Sequence, residues 1–123
     1  MGDRIVFTLK QHDGLSLNLY SHWGGNERFT DLAIALYKAR PRWTDENYCS
    51  RIIISNLIGT MWDSETGFGL WAGNSEGGFY GGDHPDITID LTRMTVNDET
   101  GEHSWVDFCN YHLPVDMHIN TVV

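Results

Sequence analysis

Residues 15–39 read LSLNLYSHWGGNERFTDLAIALYKA, and within this stretch the spacing of apolar side chains changes from two residues to three or four. Leu15, Leu17 and Leu19 alternate with Ser16, Asn18 and Tyr20, the pattern of a strand with one buried face. Phe29, Leu32, Ala33, Leu36 and Ala39 then form a single stripe, which predicts a helix over 29–39. Asn26 or Thr30 is placed to cap its start. Pro41 ends it, because the residue before a proline avoids helical dihedrals. The run between the two patterns, Tyr20-Ser21-His22-Trp23-Gly24-Gly25, is therefore a strand-to-helix turn.

Toward the N-terminus, Arg4 to Lys10 puts Ile5, Phe7 and Leu9 on one face, and His12-Asp13-Gly14 supplies the Asp-Gly chemistry of a hairpin. Toward the C-terminus, Thr44 before Asp45 and Glu46 marks the start of a second helix, whose buried stripe is Cys49, Ile52, Ile53, Leu57 and Met61. Phe68 to Ala72 reads as a strand, followed by a glycine-rich loop or irregular hairpin through Gly82. Asp86 to Val96 reads as one strand with Ile87, Ile89 and Leu91 inward. Asn97 to Gly101 reads as a polar turn, Ser104 to Leu113 as a further strand, and 114–123 as a loose tail. The predicted order is β-β-α-α-β-β-β. Its economical arrangement is a single α+β domain over 1–123, an antiparallel sheet with two helices packed on one face. Aromatics left on the other face, with Trp71, Phe79, Tyr80, Trp105 and Tyr111 as candidates, would point to a homo-oligomer.

The length of 123 residues suits one domain with an ordinary core. No run of about 18 apolar residues is present, so no membrane span is expected. The N-terminal segment lacks the apolar core of an export signal. Gly2 invites myristoylation, but Val6 stands where that motif prefers Ser or Thr. Cys49 and Cys109 read as small buried residues, reduced in a cytoplasm. Residues 1–51 hold seven basic and six acidic side chains, whereas residues 52–123 hold one basic and eleven acidic, giving the −9 of the whole chain. The acidic half repels phosphates, which argues against direct binding of nucleic acid.

The Tyr20 to Gly25 run gathers two stackable aromatics, a hydroxyl, an imidazole and two glycines that allow close backbone approach. Free N–H groups at such a turn can cradle an anion. Arg42, Asp45, Tyr48 and Arg51 recur every third residue, so Arg42, Tyr48 and Arg51 would add charge and stacking on one helical face. These residues predict a site for a small anionic, nucleotide-like ligand. Catalytic templates are missing. Ser21 and His22 are chain neighbours, and there is no Gly-x-Ser-x-Gly elbow, no phosphate-binding loop ending in Lys-Ser/Thr, and no His or Cys spacing that suits a metal. No cofactor is expected.

Leu19-Tyr20-Ser21-His22-Trp23-Gly24-Gly25, then Leu32, Ala35-Leu36, Arg42, Asp45, Tyr48, Arg51-Ile52-Ile53 and Glu65-Thr66-Gly67-Phe68-Gly69, together resemble a widespread set of short proteins of tailed bacteriophages. The resemblance covers most of residues 4–92, and the Tyr-Ser-His-Trp-Gly-Gly run is its most specific part. It brings no established activity. It implies an accessory protein acting in the host cytoplasm, where such proteins often counter host immunity. On that basis the leading expectation is a homo-oligomer that sequesters a nucleotide-type immune signal without chemistry. Two alternatives stand beside it. One is an acidic mimic of nucleic acid, needing exposed carboxylates such as Asp83, Asp86, Asp90 and Asp98, that inhibits a host defence complex. The other is a small enzyme acting on a nucleotide, with His22 as acid or base.

Overall fold

The computed structural model describes residues 2–73 and 83–119. The chain is α+β, as the two periodicities predict. Strand β1 (Ile5–Lys10) and strand β2 (Ser16–Ser21) form the opening hairpin, and helices α1 (Arg28–Lys38) and α2 (Glu46–Ile58) follow. Then come β3 (Phe68–Ala72), β4 (Ile87–Asp90), β5 (Thr95–Asp98), β6 (Gly101–Ser104) and helix α3 (Trp105–His112). The six strands make one sheet in the order β3-β2-β1-β4-β5-β6. The expected glycine-rich loop and the aromatics Phe79 and Tyr80 lie outside the described residues.

The hairpin register pairs Phe7 with Leu19 and Leu9 with Leu17, so the alternating leucines join Ile5, Phe7 and Leu9 on one face. Ile87, Ile89 and Val96 extend that face across β4 and β5, and Leu32, Ala33, Ala35 and Leu36 of α1 close over it. Each large apolar side chain buried here contributes about 1.5–3 kcal/mol. The opposite face is also shielded close to β1. Val6, Thr8, Asn18 and Tyr20 are buried there, and the Thr8 hydroxyl donates to the Asn18 side-chain oxygen at 2.9 Å.

Three expectations need correction. The sheet is mixed, because β4 lies parallel to β1, pairing Phe7 with Ile87 and Leu9 with Ile89. The stretch Asp86 to Val96 is two strands. Asp90 Oδ1 accepts from the backbone N–H of Thr92 and Arg93, and Met94 takes a positive φ of 54°, which folds the chain back. Ser104 to Leu113 is mostly helix rather than strand, so three helices pack on the sheet. Trp105, Phe108 and Cys109 turn inward at helical spacing, and the Ser104 side chain accepts from the Asp107 N–H as an N-cap.

Trp105 is core and no part of an exposed face. Its indole N–H donates to the Thr95 carbonyl at 3.0 Å, and its ring meets Trp43 edge-on at 5.2 Å. Both cysteines are fully buried. Burial pushes the Cys49 thiol up to about 11 and the Cys109 thiol up to about 12, so both stay protonated at neutral pH. Among the described residues no helix is long and apolar enough to cross a membrane.

The helix caps also differ from the sequence signal. Asp45, and not Thr44, stands at the N-cap of α2, without a side-chain cap bond. Replacing Thr44 with Ala should leave stability within about 0.5 kcal/mol. Ser104→Ala should lower it by about 1 kcal/mol through the lost cap on α3. Urea unfolding of the two variants checks the contrast; equal effects would mean that Ser104 does not start the helix.

Candidate functional site

The Tyr20 to Gly25 run lies at one end of the sheet, where it clasps the N-terminal segment. The Asp3 N–H donates to the His22 carbonyl at 2.7 Å, the His22 N–H to the Gly67 carbonyl at 2.8 Å, and the Gly25 N–H to the Asp3 carbonyl at 2.8 Å. The Tyr20 hydroxyl meets His22 Nδ1 at 2.6 Å, and the His22 ring lies against Gly2. Trp23 is half exposed but rests its ring on Gly67, whose φ of 101° and close approach both require glycine. Gly24 sits under the Ser21 side chain. His84 covers Gly25 and holds Asp3 Oδ1 through Nε2 at 2.6 Å. Beside it, Arg4 pairs with Asp83 at 3.2 Å, a hydrogen bond that holds the Asp83 carboxyl below its usual range.

Arg42, Tyr48 and Arg51 stand elsewhere. The α2 start lies at the hairpin end of β1, where Glu46 accepts from the His12 N–H and the Ser50 hydroxyl meets Gln11. The clasp lies at the other end of β1, roughly 20 Å away for six extended residues. The Arg42 guanidinium covers the Tyr48 ring at 4.7 Å and pairs with Asp45 at 3.4 Å. Arg51 reaches the Ser55 hydroxyl at 3.4 Å, and with Asn47 and Tyr48 it lines a cleft of about 230 Å³. The two groups of residues expected to share one ligand thus form two separate surfaces.

A larger cavity, about 600 Å³, opens where the start of α1, the β5–β6 turn and α3 converge. Phe29 enters it from α1, Asp98, Thr100 and His103 from the β5–β6 hairpin, and Asp107, Phe108, Tyr111 and His112 from α3. The His112 imidazole stacks on Phe29 at 5.2 Å and 15°, with Phe108 at 4.6 Å and Tyr111 at 4.9 Å. Tyr111 is 85% exposed and stands in solvent at this surface. Its volume and aromatic lining are those of a small-molecule pocket.

The polar groups of the pocket are wired in one direction. Asp98 Oδ1 accepts from the Thr100 N–H at 2.8 Å and from the Thr100 hydroxyl at 2.6 Å. That hydroxyl has one proton and gives it to the carboxylate. Its 2.9 Å contact with His103 Nε2 is therefore a bond in which Nε2–H donates to Oγ1. The Asp98 side chain is only 2% exposed. Burial pushes its carboxyl up, but the two Thr100 bonds and His103 outweigh that and hold it below its usual range. His112 is shifted downward by burial, with Asp98 opposing and His103 adding to the shift.

Arg28 links this pocket to the clasp. Its guanidinium donates to the Gly25 carbonyl at 2.7 Å and to Glu99 at 2.7 Å, and lies 4.4 Å from the centre of the Phe29 ring. Sequence reading missed the pocket because its residues come from segments 70 positions apart that share no motif. The one available signal was Trp105, Phe108, Cys109 and His112 at helical spacing. Among the described residues no group of three or more His, Cys, Asp or Glu is placed to hold a metal ion. No protein-family model, curated protein or solved structure matches the chain.

Two predictions follow from the clasp and the pocket. A methyl group at Gly25 would meet His84 and lie 2.8 Å from the Asp3 carbonyl, so Gly25→Ala should destabilise by about 1–3 kcal/mol; an unchanged denaturation midpoint would contradict the clasp. The second concerns pH. The unfolded chain takes up the His112 proton first, so stability should fall as pH drops below about 6.5 and through the lower folded value. Asp98 adds stability that is full above about 4 and lost as pH falls through its depressed folded value. Urea midpoints between pH 7 and pH 3 should therefore fall in two stages, and His112→Phe should reduce the upper stage. An upper stage of undiminished size in that variant would assign it to another group.

Proposed function

We propose that this protein binds a small planar ligand of nucleotide type in the pocket under α3 and holds it without transforming it. The observation that carries this reading is the 600 Å³ cavity lined by Phe29, Phe108, Tyr111 and the His112 ring beside a shielded carboxylate. Such a cavity favours a flat ring through stacking and apolar burial, with few polar groups to orient it. The carboxylates of Asp98 and Asp107 repel phosphate, so the ring end of the ligand enters and its anionic end stays in solvent. The resemblance to small tailed-phage proteins supplies the setting, a counter-defence protein that sequesters a nucleotide-type immune signal.

The direction of the hydrogen bonds supports capture over catalysis. Thr100, His103 and Asp98 are the residue types of a nucleophile, a base and an acid, but the Thr100 hydroxyl points its proton at Asp98 Oδ1. His103 donates to that oxygen and cannot take its proton, which is the reverse of an activated nucleophile. The acidic-mimic alternative has less support. Asp83 is paired with Arg4, Asp90 is buried as a turn cap, and the Asp98 side chain is shielded, which leaves Asp86 alone of the four free at the surface.

A thermal-shift panel of nucleosides, mononucleotides and cyclic nucleotides tests the proposal. A ligand at about 100 times its dissociation constant should add about 2.7 kcal/mol of stability. Tyr111 packs mainly against solvent, so Tyr111→Ala should weaken binding about tenfold while leaving the unliganded protein as stable as before. A shift that survives Tyr111→Ala unchanged but disappears in Trp23→Ala would move the site to the clasp. No shift across the panel would remove the proposal.

A further inference from the structure

The Asp98 carboxylate, which lines the pocket, spends only one of its two oxygens on the described fold. Asp98 Oδ1 receives the Thr100 N–H and the Thr100 hydroxyl, and His103 Nε2 lies 3.4 Å from it. Oδ2 has no hydrogen bond among the described residues, although the side chain that carries it is 98% shielded and lines the cavity. Oδ2 stays open to the cavity, where a ligand covering it must supply a donor or leave it unpaired. The turn that holds Oδ1 fixes where Oδ2 lies, so its position does not depend on a ligand.

We infer that Asp98 Oδ2 is the specificity element of the pocket and selects a nitrogen heterocycle that carries an amino N–H. This rests on the reading of the cavity as a ligand site and names the chemistry of what enters. The stacked rings hold any flat heterocycle, and they discriminate poorly among bases because every base has a face. Oδ2 distinguishes them by accepting from the amino group of the correct one. A heterocycle lacking the amino group would cover Oδ2 from solvent without giving it a donor, which is the arrangement that rejects analogues most strongly.

Two pairs of nucleosides separate the possibilities, adenosine with purine riboside and guanosine with inosine, since each pair differs by one amino group. Binding is measured by calorimetry on the full chain and on Asp98→Asn. Asparagine keeps an oxygen to accept from Thr100 and replaces Oδ2 with a donor, so the turn is retained while the polarity of the pocket atom inverts. In the native chain at least one amino compound should bind about tenfold or more tighter than its partner. Asp98→Asn should erase that preference, with an unfolding midpoint at pH 7 that shows the variant folded. Equal binding within both pairs, sensitive to Tyr111→Ala, would overturn the role of Asp98 and leave the pocket as a site. A preference that persists in Asp98→Asn would also overturn it. No binding of any of the four, at concentrations to the solubility limit, would remove both the inference and the ligand site for this class.

Discussion

Strand β1 is bonded on both sides in opposite senses, antiparallel to β2 and parallel to β4, and the rest of the structure is built around that constraint. A strand in this position cannot leave backbone groups to solvent, and its neighbours must shield both of its faces. Ile5, Phe7 and Leu9 meet the helices, while Val6 and Thr8 are covered on the other side. Only Lys10, where the strand gives way to the hairpin, is exposed along its length. The parallel contact with β4 also carries the chain to the far side of the sheet. There β5, β6 and α3 form the pocket, while the clasp stays at the N-terminal end of β1. One central strand thus organises the core around which both the clasp and the pocket form.

Much of this was legible. The hairpin, both early helices and β3 were read close to their observed limits, because each has an unbroken period and local turn chemistry. The failures were physical and specific. In residues 86–96 the reversal is made by Asp90 accepting two backbone N–H groups, with neither glycine nor proline to mark it. In residues 104–113 the residues Trp105, Asp107, Cys109 and Tyr111 suggest alternation, while Trp105, Phe108, Cys109 and His112 suggest a helix. Ser104 as N-cap decides between them. That error hid the pocket, since read as a strand the segment could not bring Phe108 and His112 beside Phe29. The Tyr20 to Gly25 run was found as an unusual feature, and most of its side chains and its backbone are engaged in closing the fold.

The acidic balance of the C-terminal half also takes on local meaning. Asp90 and Asp98 each organise a turn through one carboxylate oxygen, and Asp83 and Glu99 tie their segments to Arg4 and Arg28 from the basic half. The sign split along the chain is therefore used to hold the two halves together. Such pairs add little individually when exposed. The Arg28–Glu99 pair differs, because the Arg28 side chain is 12% exposed and its guanidinium bridges two partners.

Arg28 has a consequence for how this protein can change. Its planar fork reaches a carbonyl of the clasp and a carboxylate of the pocket turn at once, and lysine, with a single ammonium, does not reproduce that geometry. Sequence drift at the pocket rim is therefore filtered through the integrity of the N-terminal closure, and the reverse holds. Asp107 and Tyr111 of the pocket rim have no hydrogen bond or ion pair to Arg28 and can vary while it is kept. Their side chains stand at the surface on α3, and they are the positions where this scaffold is free to evolve.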